Sequence, residues 1–211
     1  MRHIALAIVV AALMLPTPSA RADTLTFGGT LSGANEVPST GSPGIGSAAV
    51  VLDTTADTIR IIASFAGLTS PDTAAHIHCC QTMPGMNVGV ATKIPTFGDF
   101  LGSTIPSFPL GVTAGAYDQT FSLLDSSFYN PAFVTANGGT VAGAEAALIA
   151  GIEGVHTYFN IHTSNFPGGE IRAELLPLAV PAPIVGAGLP GVILACGALL
   201  ALGRRRRQRV V

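Results

Sequence analysis

The residues of this chain best equipped for chemistry are its histidines. His76 and His78 lie in AAHIH (Ala74 to His78). On an extended strand, residues i and i+2 project to the same side, so both imidazoles can reach one ion. His162, within HTYFNIHTSNFPGGEIRAE (His156 to Glu174), supplies a third nitrogen if its strand lies alongside. Imidazoles with or without thiolates suit copper or zinc better than calcium. His156 is a further candidate, but its six-residue separation from His162 is about 20 Å along a strand, too far for both to serve one ion readily. Cys79 and Cys80 follow His78 directly. In an exported chain they could form a vicinal disulfide, act as soft ligands beside the H-x-H pair, or bond to another molecule. The competing reading is structural: a strand histidine beside Tyr, Asn and Thr can simply hydrogen-bond across the sheet.

The same segment carries Glu170, Arg172 and Glu174 at one parity. An arginine between two carboxylates keeps both ionised, which is wrong for a general acid, so a cross-strand ion ladder is expected. The sequence has no nucleophile elbow, phosphate loop, H-E-x-x-H or Asp-rich calcium loop. No residue is therefore assigned a catalytic role, and turnover is not expected.

The elements that must position these groups are mostly strands. Leu25 to Ser32, Ile45 to Asp53, Thr58 to Phe65, Ala74 to His78 and Tyr117 to Leu124 are short runs between Gly- and Pro-rich breaks, with Thr54 to Asp57 as a hairpin turn. Val155 to Thr163 and Glu170 to Leu175 alternate as the arms of a hairpin about Pro167, Gly168 and Gly169. Cys79 to Gly115 has no periodicity and is expected as a long ordered loop. Asn130-Pro131 and Thr140 read as helix caps, the second opening a stripe of Val141, Ala144, Leu148 and Ile152. An antiparallel β-sandwich or Greek-key barrel with a short helical insertion follows.

Residues 1–22 read as a signal peptide: Arg2, an apolar core from Ile4 to Leu15, and Ala20-Arg21-Ala22 as the cleavage site before Asp23. Residues 23–177 form one domain. Within it, Arg60, Lys93 and Arg172 face all 12 carboxylates of the chain, a formal balance of −9. So acidic a domain, without a basic stripe, argues against nucleic acid and is compatible with cations or uncharged glycans. Residues 178–211 hold the apolar run Val180 to Gly203, which includes Cys196 and ends in RRRRQR. This pattern is expected to span a membrane with the arginines cytoplasmic and the domain outside.

Two family resemblances come from these residues. Pro181-Ala182-Pro183, the apolar run and the arginine cluster resemble the PEP-CTERM sorting signal, with Ala182 in place of the commoner Glu. That resemblance implies handling by an exosortase, association with exopolysaccharide or a protein partner, and a place on the membrane or cell surface. LSGANEVP (Leu31 to Pro38), AHIH (Ala75 to His78) and YFNIHTSNFPGGEIRAEL (Tyr158 to Leu175) resemble the CHRD domain of secreted proteins. It implies an immunoglobulin-like fold similar to copper/zinc superoxide dismutase, in which a strand H-x-H pair holds copper. Dismutation itself is not expected, because an acidic surface repels superoxide and no histidine is placed to bridge two metals. The chain is thus expected to be an exported, surface- or matrix-associated, non-catalytic binding module. The alternative is a copper or zinc domain on His76, His78 and His162.

Overall fold

A computed structural model of the chain describes residues 24–99 and 103–178. The expected signal peptide and the apolar, arginine-ended segment lie outside the described residues. Contacts divide the chain after Pro177, and the fold belongs to the part before that point. No helix among the described residues is long and apolar enough to cross a membrane.

The fold is all-β and antiparallel. Among the described residues, eight strands, β1 (Thr24–Ser32), β2 (Ile45–Asp53), β3 (Thr58–Ala66), β4 (Asp72–Cys79), β5 (Gly115–Ser122), β6 (Thr157–Thr163), β7 (Ile171–Glu174) and β8 (Leu176–Pro177), join two short α-helices, α1 (Pro131–Ala136) and α2 (Val141–Glu153). The hydrogen-bonded order is β4-β6-β7-β1-β2-β3-β5, with β8 on β1. One arm, β1-β2-β3-β5, is a ladder of long pairings from Thr24↔Asp53 to Phe65↔Gly115. The other, β4-β6-β7, is joined to it through a single β1–β7 register pair, Ser32↔Arg172.

Local chemistry explains the long arm. Ile59, Ile61, Ala63 and Phe65 are buried while Arg60 and Ser64 are exposed, the two-residue alternation of a half-buried strand. The β2–β3 turn is closed by Asp53, whose Oδ1 accepts from the amides of Thr55 and Ala56 at 3.0 and 2.9 Å. Asp57 takes φ 52°, a conformation that Asp tolerates.

Both arms share one core. Phe97, from the chain between β4 and β5, lies 5.6 Å from Phe159 on β6 and 6.3 and 6.2 Å from Tyr117 and Phe121 on β5 (ring centroids). The sheet therefore curves until its distant strands face the same aromatic filling. The helices form where the caps place them. Asn130 accepts from Ala132 N at 3.0 Å, and Thr140 from Gly143 N at 3.1 Å. Gly138 and Gly139, at φ 86° and 70°, break the chain between them. Ala144, Leu148 and Ile152 are buried, as the stripe requires.

The expected ion ladder does not form as such. Arg172 pairs with Glu174 at 2.8 Å, but Glu170 precedes β7 and takes a different role. Its fully buried carboxylate accepts from Ser42 Oγ (2.6 Å), Thr69 N (2.7 Å), Thr69 Oγ1 (3.0 Å) and Thr163 Oγ1 (2.6 Å). Burial alone would raise its pKa, yet these bonds prevail and hold it below the usual carboxylate value. Glu170 thus clamps two loops to β6. Replacing it with Ala strands the buried Thr163 hydroxyl and removes the acceptor that holds the more accessible Ser42 and Thr69 donors. Glu170→Ala is expected to cost about 2–4 kcal/mol in urea unfolding, whereas a surface change such as Glu153→Ala costs under about 0.5 kcal/mol.

Candidate metal centre

The β4–β6 register settles which histidines meet. Pairing runs Ala74↔His162, His76↔Asn160 and His78↔Tyr158, so His76, His78 and His162 occupy one face of adjacent strands. Ring centroids are 4.9 Å apart for His76 and His162, and 5.7 Å for His76 with His78 and for His78 with His162. One nitrogen from each lies within 4.8 Å of the others. His76 Nδ1 and His162 Nε2 are 3.1 Å apart. Two nitrogens bound to a tetrahedral ion at about 2.0–2.1 Å are roughly 3.3 Å apart, so this pair already has ligand spacing and the third needs a shift on the order of 1 Å.

Backbone carbonyls orient the rings. The Nδ1–H of His78 donates to Val88 O at 2.8 Å, and the Nδ1–H of His162 to Pro167 O at 2.9 Å. Those bonds assign both tautomers and leave each Nε2 with its lone pair, the form in which imidazole ligates. With Nε2 of His162 an acceptor, the 3.1 Å contact is a hydrogen bond from His76 Nδ1–H when no ion is bound. The buried Nε2 atoms of His76 and His78 have no hydrogen-bond partner. His76 Nε2 is on the side of its ring away from the His162 contact, so the orphan that bears on the trio is His78 Nε2. An unpartnered buried nitrogen beside a ligand-spaced pair fits a metal better than a purely structural role.

The trio is buried and neutral. His76, His78 and His162 are 4%, 7% and 8% exposed. Burial pushes the His76 pKa down to about 3, with His162 and His78 adding to the effect and the Pro95 carbonyl opposing it. Burial also takes His78 down to about 4, against the Val88 carbonyl and with His162 and Arg172 assisting, and it lowers His162. At neutral pH a metal therefore meets no imidazolium, and only the Nδ1 proton of His76 must pass to its Nε2 for that nitrogen to ligate.

Around the trio is a layer that the histidine spacing did not disclose. His78 stacks on Tyr158 at 4.5 Å, and Arg172 Cζ lies 3.5 Å from the same ring's centroid. Arg172 donates to Glu174 Oε1, Asn87 Oδ1 (2.9 Å) and Met86 O (3.1 Å). Tyr158 shares its strand parity with Asn160 and His162, a signal that was available. The carbonyls of Val88 and Pro167 leave no trace in side-chain type.

The remaining candidates are elsewhere. Cys79 and Cys80 are bonded to each other, which decides among the three arrangements open to them. Their sulfurs pack beneath Gly151 of α2, where a Cβ would collide with Cys79 Sγ, and the alternation of β4 turns Cys79 away from the histidine face. The cysteines are therefore not ligands here. His156 lies just before β6 and does not join the trio.

The fold and site together define a small β-domain with a ring of imidazoles between two strands. Residues 27–175 match the family described as the CHRD domain, and the chain belongs to that family. No curated protein and no solved structure matches the chain.

The buried charges predict a pH response. Each histidine binds a proton more readily unfolded than folded once pH is below about 6.5, so folding stability falls from there toward the folded values near 3 and 4. Glu36 acts the other way: burial raises it to about 7, so it favours the folded state as pH falls through 7 toward 4.5. With at least two histidines against one carboxyl, metal-free protein is expected to lose on the order of 1 kcal/mol or more in urea unfolding between pH 6.5 and pH 5. Glu36→Gln should steepen that loss. A stability that rises over this interval contradicts the buried neutral trio.

Proposed function

We propose that the protein is an exported, non-catalytic CHRD module that holds one copper or zinc ion on His76, His78 and His162. The observation that carries the reading is the convergence of three neutral imidazoles, two of them oriented by carbonyls, on one buried point. When bound, the metal would supply a strong cross-link between β4 and β6; the histidines hold it, and Val88 O and Pro167 O fix their direction. Structural use rather than turnover is supported by the slight exposure of the trio, which leaves little approach for a substrate.

The remaining parts of the reading rest on sequence. Cleavage before Asp23 would export the domain. The Pro181-to-arginine segment would anchor it facing the periplasm, or pass it through an exosortase to the cell surface or matrix, with exopolysaccharide or a protein as partner. The immunoglobulin-like, dismutase-like classification is supported by the way both arms of the sheet enclose one aromatic core, with only Ser32↔Arg172 pairing β1 to β7.

Elemental analysis of full-length protein tests the site. Wild type is expected to retain about one copper or zinc per chain after dialysis, and His76→Ala with His78→Ala to retain less than about a tenth of that. Metal addition should raise the wild-type melting temperature and leave the double variant unmoved. Wild type that stays metal-free after incubation with Cu(I), Cu(II) and Zn(II) removes the proposal.

A further inference from the structure

The sequence contains four methionines, of which Met1 and Met14 lie in the expected leader. The other two, Met83 and Met86, lie three residues apart on the loop that covers His78, and both are exposed, at 64% and 40%. Neither belongs to the core cluster, and the Met86 thioether is met by Thr82 Oγ1 at 3.2 Å, a weak bond that an ion could displace.

The loop geometry brings their backbone positions close. Met83-Pro84-Gly85-Met86 has proline at the second position and glycine with φ 85° at the third, the signature of a type II β-turn, whose first and last Cα atoms lie within about 7 Å. Both thioethers sit on long, unbranched side chains that can close that gap onto one ion. The turn is also fixed in place. Met86 O accepts from Gln81 Nε2 at 2.8 Å and from buried Arg172 at 3.1 Å. Two residues further on, Val88 O holds His78. The thioether pair is therefore built on the same loop that orients one histidine of the trio.

We propose that Met83 and Met86 form an outer capture site for Cu(I) that feeds the His76–His78–His162 trio. The proposal rests on the metal reading of that trio and narrows its metal to copper. Thioethers are soft donors without charge: they take Cu(I) and bind Zn(II) poorly, so a surface pair selects the metal before a histidine set that would accept either. The capture site lies outside while the trio is buried, which assigns selection and retention to different residues.

The test uses full-length, metal-free protein under anaerobic conditions, with Cu(I) supplied as its acetonitrile complex and Zn(II) as its chloride. Met83→Leu with Met86→Leu keeps exposed apolar bulk and removes both sulfurs. This variant is expected to load Cu(I) at least tenfold more slowly than wild type, to reach the same final stoichiometry, and to load Zn(II) at the wild-type rate. In a His76→Ala, His78→Ala chain, one weakly held Cu(I) should remain, show Cu–S scattering by X-ray absorption, and vanish when the two leucines are added. Unchanged Cu(I) loading in the leucine variant overturns the proposal. So does equal slowing of Cu(I) and Zn(II), which marks a general loop effect. Wild type that takes up only the sulfur-bound Cu(I) instead overturns the histidine site and leaves the capture site standing, so the two readings fail separately.

Discussion

The structure depends on satisfying one buried cation. Arg172 has no exposed surface, and a guanidinium removed from water costs several kcal/mol unless its donors are met. Its partners come from three parts of the chain: Glu174 on its own strand, Asn87 and Met86 on the long loop, and the ring of Tyr158 on β6. The backbone is engaged as well, with Asn35 Nδ2 donating to Arg172 O at 3.0 Å. Asn87 in turn reaches Val37 O at 2.6 Å. Meeting the arginine thus pulls both the N-terminal ANEVP segment and the loop after Cys80 onto the β4-β6-β7 arm. The histidines are buried because that loop is there.

This arm has two buried faces of opposite character. Ala75, Ile77, Phe159, Ile161, Ile171 and Ala173 face the aromatic core, while His76, His78, Tyr158, Asn160, His162 and Arg172 face the covering loops. Every residue of β6 is buried. An alternating strand ordinarily signals one wet face. Here the polar half of the alternation is an interior of a different kind, and the groups in it must find partners or a ligand.

That distinction decides what could be read in advance. The β2 and β3 spans, the helix caps at Asn130 and Thr140, and the break at Gly138-Gly139 are local chemistry and were legible. The H-x-H pair and its third member were legible as candidates by strand parity. Their meeting was not, because Ala74↔His162 is a register between residues 88 positions apart, and no local signal fixes such a pairing. Glu170 was misplaced for a related reason. Its parity matched Arg172, but the strand begins one residue later, and the hydroxyls that claim it come from Ser42 and Thr69, remote in sequence. The cysteines carried three chemistries in one dipeptide, and only tertiary packing chose among them.

The charge balance of the polar interior bears on which ion it can hold. The trio contributes no negative charge, Glu174 is already engaged by Arg172, and burial, with smaller contributions from His162 and Arg172, depresses the His78 pKa. An ion entering there adds its whole charge to a neutral ligand set beside a cation. A divalent ion pays more for that than a monovalent one, because desolvation and repulsion both grow with charge. Structural zinc sites commonly offset their charge with thiolates, and in this chain the two cysteines adjoining His78 are withdrawn into a disulfide on the opposite face. The three neutral imidazoles near a buried arginine would therefore set a higher electrostatic cost for a divalent than for a monovalent ion, even though imidazole as a donor suits copper and zinc alike.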